Sequence, residues 1–192
     1  MPQRSLLANV PVSWLTVETP LPSGPLRVAI SPSGVLAASY WDDPLSGLPG
    51  PATTPPPDPA LAALVTDRLR EYFAGERQEL GLPVDWRLSS GVHRTVLETL
   101  HRTVPYGSVV TYGELAARSG LRAADTPGGE PPARTVGAIM GGNPVPLLVP
   151  CHRVVASDGL GGFGRRRDGV EVKRWLLTLE GVLAPTLEWN GP

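Results

Sequence analysis

Apolar and polar positions follow two different rhythms along this chain, and the change of rhythm divides it. Residues 26–30 and 35–40 are short apolar stretches separated by Ser31-Pro32-Ser33-Gly34, a turn-forming run, and predict a β-hairpin. Residues 44–59 are rich in Pro, Gly and Thr and predict an irregular surface loop. Over 60–73 the spacing becomes helical, with Leu61, Leu64, Val65, Arg68, Leu69 and Tyr72 in step and Gly75 just past the end. Residues 80–88 read as extended. The first part is therefore expected to be a small α/β unit.

From Ser89 onward helical periods dominate. The stretch 92–103 carries Val92, Val96, Leu97 and Leu100 at helical spacing, with Ser89 or Ser90 available as its cap. Pro105-Tyr106-Gly107 breaks it. In 111–119, Thr111 is the expected N-cap and Glu114 completes a capping box. Residues 121–132 are polar and rich in Gly and Pro, and read as a mobile loop. Residues 133–140 predict a short helix closed by Gly141-Gly142, and 172–179 predict another. No internal repeat is visible. Two domains are expected, 1–87 and 88–192. The helices at 111–119 and 133–140 could form a helix-turn-helix pair, although ordinary helical hairpins are commoner and this connection exceeds a tight turn.

Composition narrows the class. The chain has 192 residues, 41% of them hydrophobic, with a mean hydropathy of −0.03, values typical of a globular protein able to bury a core. No apolar run reaches bilayer-spanning length, and Met1-Pro2-Gln3-Arg4-Ser5 lacks the apolar segment of a secretory signal. Together with a single cysteine, this gives the expectation of a reducing, intracellular, cytoplasmic setting. A net charge of −1 and a pI near 6.3 give no global footprint for nucleic acid. The halves differ, however. Residues 1–87 carry 6 basic and 9 acidic groups, and 88–192 carry 11 and 9, so the second half is net positive and permits phosphate contact. Lys173 is the only lysine beside sixteen arginines, which fits the coding bias of a GC-rich, prokaryotic genome.

The one cysteine, Cys151, follows Pro150 and precedes His152 and Arg153. A lone thiol supplies neither an internal disulfide nor a four-cysteine metal site. It is either a buried small hydrophobe or a nucleophile. Two adjacent basic residues, and no acidic residue from 132 to 156, favour the reactive thiolate. By themselves, His152 reads rather as a surface histidine and Glu180 as a solvated carboxylate near a helix end. Asn143, before Pro144, reads as a turn residue bonded to local backbone.

Several ordered blocks now accumulate. They are Val104-Pro105-Tyr106-Gly107, Thr111-Tyr112-Gly113-Glu114-Leu115-Ala116, Ala133-Arg134-Thr135-Val136-Gly137, Gly142-Asn143-Pro144-Val145-Pro146, Pro150-Cys151-His152-Arg153-Val154, and Lys173-Arg174-Trp175-Leu176-Leu177 with Glu180-Gly181. In that order they resemble the O6-alkylguanine-DNA alkyltransferases, also called methylated-DNA–protein-cysteine methyltransferases. The resemblance implies a ribonuclease H-like α/β first domain with a small sheet and helix. It implies a mainly α, winged-helix-like second domain that carries a helix-turn-helix. It implies direct DNA repair in which Cys151 irreversibly accepts the alkyl group of O6-alkylguanine, and of O4-alkylthymine if the pocket admits it. His152 would take the thiol proton through a water, Glu180 would orient His152, and Asn143 would brace the turn before Cys151.

The same resemblance implies double-stranded DNA as partner, met in its minor groove by the helix of Arg134, Thr135, Gly137 and Ala138. Arg134 would fill the space left by a flipped nucleotide, because the reacting atom is out of reach inside the stack. Small Gly137 and Ala138 would let the backbone approach, and Tyr112 would meet the neighbouring phosphate. Pro150, Val154, Val155, Phe163 and Gly164 would line the base pocket. No cofactor, no membrane and no obligate protein partner are implied, and a monomer is expected. Three histidines and one cysteine make a structural zinc unexpected.

Two departures stand out. Residues 121–132 look inserted, and Phe163 stands where the family generally has a tyrosine, ahead of an added Arg165-Arg166-Arg167 that is either a phosphate contact or a solvated loop. A missing hydroxyl at Phe163 leaves one base contact unaccounted for. The competing readings are a lesion-binding sensor of the alkyltransferase-like kind, which lacks this cysteine, and a cysteine hydrolase, for which adjacent nucleophile and base would be unusual.

Overall fold

A computed structural model describes residues 11–40, 48, 54–163, 169–186 and 189–192. The chain separates into two compact units. One comprises Met1–Leu88 with Pro144–Pro146 and Pro192, and the other comprises Ser89–Asn143 with Leu147–Gly191.

The first unit is built on a three-stranded antiparallel sheet, β1 (Ser13–Val17), β2 (Leu26–Ser31) and β3 (Gly34–Ser39), in that spatial order. The β2–β3 hairpin matches the alternation of apolar stretches and turn residues. β1 was not anticipated from the sequence, although Trp14-Leu15-Thr16-Val17 has the aromatic and β-branched character of a strand. Every residue of β3 is buried, which explains an unbroken apolar run in place of alternation. Gly34 is required in its place. Its φ is +131°, and a β-carbon there would collide with the Pro83 carbonyl oxygen, which accepts from the Val35 amide at 2.8 Å.

Helix α1 (Pro59–Phe73) begins at a proline, whose absent N–H costs nothing at a first turn, and Asp58 caps it by accepting from the Leu61 amide at 2.9 Å. It buries Val65, Leu69, Tyr72 and Phe73. The extended reading of 80–88 is corrected: these residues make only an isolated bridge between Val84 and Val35, then a short 3-10 turn at Trp86–Leu88. Asp85 holds this segment. Its buried carboxylate accepts from Ser31 Oγ at 2.5 Å and pairs with Arg87, while its backbone amide donates to the Val35 carbonyl at 2.8 Å.

The second unit contains helices α2 (Gly91–Thr103), α3 (Tyr112–Arg118), α4 (Pro132–Gly141) and α5 (Gly169–Leu179). Val96, Leu97 and Leu100 on α2 and Val172, Trp175, Leu176 and Leu177 on α5 are buried, as their spacing predicts. Ser90 occupies the α2 cap position but makes no side-chain capping bond. The Thr111–Glu114 capping box at α3 is complete, with Thr111 Oγ1 accepting from the Glu114 amide at 3.2 Å and Glu114 Oε2 from the Thr111 amide at 2.8 Å. Residues 121–132, expected as a loop, carry two short 3-10 turns at Ala123–Asp125 and Pro127–Gly129. A two-residue parallel pair unforeseen in the sequence, β4 (Val110–Thr111) with β5 (Val154–Val155), fixes the chain that leaves Cys151 beside the start of α3.

Candidate active site

Cys151 is presented by a backbone kink with three independent braces. Pro150 sits at φ −80°, ψ 65°, the conformation of an inverse γ-turn, and the Cys151 amide donates to the Val149 carbonyl at 2.8 Å. The same carbonyl accepts from Asn143 Nδ2 at 2.9 Å. From α2, His101 Nδ1 meets the Leu148 carbonyl at 2.9 Å. Leu147 is the one non-glycine residue with a positive φ, +75°, among the described residues, a strained conformation that the flanking braces must hold. After the kink, Cys151–Arg153 form a 3-10 turn, so neighbours that would face opposite ways in a strand diverge by about a third of a turn.

Cys151 is buried, and burial pushes its thiol above the ordinary range. A hydrogen bond from the Asn143 side chain, the charge of Lys173 and local backbone amides oppose that shift without cancelling it. This corrects the sequence expectation that the adjacent histidine and arginine favour the thiolate. His152 is wholly buried, and desolvation keeps its imidazole neutral by lowering its pKa. Arg153 turns away to Glu180, where its charge is matched.

Glu180, just beyond α5, is the hub of that pairing. Its carboxylate accepts from Arg153 Nε at 2.9 Å and Nη2 at 2.8 Å in a two-pronged contact, from His152 Nε2 at 2.9 Å and from the Gly107 amide at 3.4 Å. Arg153 Nη1 also donates to the Val104 carbonyl at 2.8 Å. Burial alone would raise the Glu180 carboxyl, but the bonds and charges of His152 and Arg153 outweigh it and hold it at about 2. An ionised Glu180 can only accept, so the His152 proton resides on Nε2. That leaves His152 Nδ1 as a lone-pair acceptor, and it is buried with no hydrogen-bond partner among the described residues. Chemically, the arrangement is a hindered thiol beside a neutral imidazole base whose tautomer is locked by a carboxylate.

Further residues expected at the site follow along the chain. Val154 is fully buried, Val155 half-buried and Phe163 buried. Tyr112 Oη donates to the Gly162 carbonyl at 3.3 Å. Gly161, at φ +68°, lies against that ring: a β-carbon would stand 3.1 Å from Tyr112 Cε2. Lys173 Nζ donates to the carbonyls of Val154, Leu160 and Gly162 at 2.6, 2.5 and 3.2 Å. On α4, Arg134 and Ala138 are exposed one turn apart with half-buried Gly137 beside them.

A family model for the DNA-binding domain of 6-O-methylguanine DNA methyltransferases matches residues 91–182. A methylated-DNA–protein-cysteine methyltransferase of Methanopyrus kandleri is 42% identical over 142 residues, spanning 71% of this chain and 93% of that protein. The chain belongs to the methylated-DNA–protein-cysteine methyltransferase family. A DNA base-flipping protein of Thermus thermophilus is 39% identical over 172 residues, 88% of this chain and 99% of its own. The crystal structure of Mycobacterium tuberculosis OGT in complex with DNA superposes with a TM-score of 0.69 at 35% identity, covering 88% of this chain and 92% of that one.

Against the residues expected of this methyltransferase family, the structure pairs buried His152 with buried Glu180 and places half-buried Asn143 in hydrogen-bond contact with buried Cys151, with Pro150, Val154 and Val155 flanking them along the chain and Phe163 placed 6.0 Å from Lys173. Thr135 departs from its expected place. It is buried and donates to Glu130 Oε1 at 3.0 Å, so its side chain is turned away from the Arg134–Ala138 face. Gly164 and Arg165-Arg166-Arg167 lie outside the described residues. Two residues escaped sequence reasoning. Arg153 looked like a charge for the thiol and is instead the partner of Glu180. Lys173 stood in a matching block, and its solitude among sixteen arginines, read above as coding bias, was the signal that could have marked it.

Proposed function

We propose that this protein repairs alkylated DNA directly, moving the alkyl group of O6-alkylguanine irreversibly to Cys151, one group per molecule. The observation that carries this reading is the free lone pair of His152 Nδ1 in a buried Cys–His–Glu cluster. Burial holds the thiol protonated, so a base must act at the moment of attack. Glu180 fixes Nε2–H and stabilises the imidazolium that forms when Nδ1 takes the thiol proton through a water. Sulfur then forms a bond to the alkyl carbon as the carbon–O6 bond breaks. The released electron pair passes to the purine, which recovers the proton from His152. The product is a thioether, for which the site offers no leaving path, and no cofactor enters.

Duplex DNA is the proposed partner, approached through the minor groove by α4, with α3 and α4 as the helix-turn-helix of a winged-helix-like domain at 88–192. The Arg134–Gly137–Ala138 face supports this: one long cation beside two residues small enough for close backbone approach. Arg134 would occupy the stack after the nucleotide is flipped, Tyr112 would meet the adjoining phosphate, and Val154, Val155 and Phe163 would hold the base. The unit at 1–87, ribonuclease H-like in this reading, has no assigned chemistry. The protein would act as a monomer.

The test is the mass of the Cys151 peptide after incubation with duplex DNA containing one O6-methylguanine. Gain of a single methyl group, stoichiometric with protein, is expected. Tight lesion binding with an unmodified Cys151 would replace repair with a lesion-sensing role.

A further inference from the structure

Lys173 is wholly buried on α5, yet no carboxylate bonds it among the described residues. Its three ammonium protons are instead met by three carbonyls, from both ends of the stretch 154–162 that runs out from the Cys151 turn and back. Three acceptors converging on one point suit a compact ammonium, whereas a planar guanidinium spreads its donors in a fork. In a chain that otherwise uses arginine for every basic side chain, the lone lysine occupies the place where the geometry demands one. The ammonium also stands 5.9 Å from the Tyr112 ring centre and 6.0 Å from that of Phe163, so one atom binds the loop and lies beside the rings at the helix start and the loop's end.

We propose that Lys173 is a positioning residue for the alkyl transfer: it clamps residues 154–162, the loop that leaves the Cys151 turn, and presents to the sulfur a buried positive charge that no carboxylate among the described residues neutralises. The inference rests on the proposed transfer to Cys151 for its purpose, although its test does not. The ionisable groups that face Lys173 are Cys151 and His152 on the 3-10 turn and Tyr112 at the start of α3. His152 is neutral, and the Tyr112 phenol is pushed up by burial and stays protonated, so Cys151 is the group whose charge Lys173 governs. The other buried cation among the described residues of this unit, Arg153, is committed to Glu180. The clamp and the charge therefore serve one event, formation of the thiolate beside a fixed loop.

A pH signature follows. Burial lowers Lys173 from 10.5 to about 8, with the attraction of Cys151 opposing the fall. Below that pH, thiolate forms beside a charged Lys173 and reactivity climbs with pH. Near pH 8 the lysine gives up its proton, the thiolate loses its partner, and the climb is interrupted before resuming at higher pH.

Because Lys173 is the only lysine, selective carbon labelling of lysine gives a single ε-carbon resonance in the intact wild-type chain, and its titration midpoint is expected near 8. A midpoint near the ordinary 10.5 in folded protein would overturn the buried cage. In parallel, the rate of Cys151 alkylation by iodoacetamide is followed from pH 6 to 10. The wild type should show a shoulder near pH 8. Lys173→Met should react about tenfold more slowly at pH 7, the effect of one unit in thiol pKa, and show no shoulder. Lys173→Arg should keep part of the iodoacetamide rate but not the O6-benzylguanine rate, since its fork cannot meet all three carbonyls. A melting point lowered in Lys173→Met with an unchanged pH profile would reduce Lys173 to a structural role and defeat the proposal. If Lys173→Met does not fold, the wild-type resonance and shoulder still decide. Iodoacetamide needs no DNA, so a normal shoulder with no methyl transfer from O6-methylguanine would sink the repair reading and spare this one.

Discussion

Glu180 shows how much chemistry a single buried carboxylate can govern. It fixes the His152 tautomer and at the same time neutralises Arg153, so replacing it disturbs both at once. Glu180→Gln should slow the reaction with free O6-benzylguanine by roughly a hundredfold or more, a typical loss when a general base is misoriented. It should also destabilise the fold by about 3 kcal/mol, because Arg153 would be left buried without its counter-charge. Stopped-flow rates and urea unfolding check the two effects separately. At this scale the sequence singled out residues better than it foresaw their contacts. Cys151, His152, Glu180 and Asn143 could be picked out from ordered blocks. The role of Arg153 could not, because adjacency along the chain says nothing about which way a 3-10 turn sends a side chain.

Helix α4 raises a different issue, that of a face. Arg134 is exposed, and its guanidinium has no ion-pair partner among the described residues, whereas Thr135 beside it is buried against Glu130. Arg134→Ala should therefore leave the melting temperature within experimental scatter, as surface substitutions usually do. Repair of duplex O6-methylguanine should fall at least tenfold, while reaction with free O6-benzylguanine should be preserved, since only the duplex needs its stack opened. Equal losses on both substrates would remove Arg134 from base flipping. The period of the apolar positions located α4, and the capping box located the start of α3. Proline at the first turn set the α1 and α4 boundaries one residue earlier than periodicity alone indicates. What stayed hidden at this scale was short and non-local. β4 and β5 pair two residues each across a wide sequence gap, and no local pattern encodes such a pairing.

Across the whole molecule, acid is the condition that reaches both units. In the first, burial would raise Asp85, but its bonds to Arg87 and Ser31 bring it below the usual carboxylate range. In the second, Glu180 lies at about 2 against an ordinary 4.5. Both folded-state values are depressed, so each carboxylate contributes stability that is complete above the unfolded-state pKa and is lost as pH falls through the folded one. Urea midpoints should begin to decline below about pH 6.5, where the unfolded chain protonates His152 while the buried imidazole stays neutral, and should drop further between pH 4.5 and 2, with Glu180 alone accounting for roughly 3 kcal/mol at about 1.4 kcal/mol per pKa unit. Glu180→Gln should flatten the second unit's share of that fall. A midpoint that does not change between pH 5 and 3 would contradict the pairing described for both carboxylates.

The wholly buried amine on α5 has one more consequence, for how this protein meets a protease. An enzyme that cuts only after lysine finds a single cleavable bond in the entire chain, Lys173–Arg174, inside a helix with the side chain it must grasp sealed from solvent. Cleavage must wait until α5 opens, so under conditions where reclosure is fast the rate of cutting measures the free energy of that opening. The expected record is one clean pair of fragments, appearing slowly at neutral pH and faster under the acid conditions that undo Glu180. Rapid cutting of the native chain at pH 7 would mean that the lysine is not sealed at all.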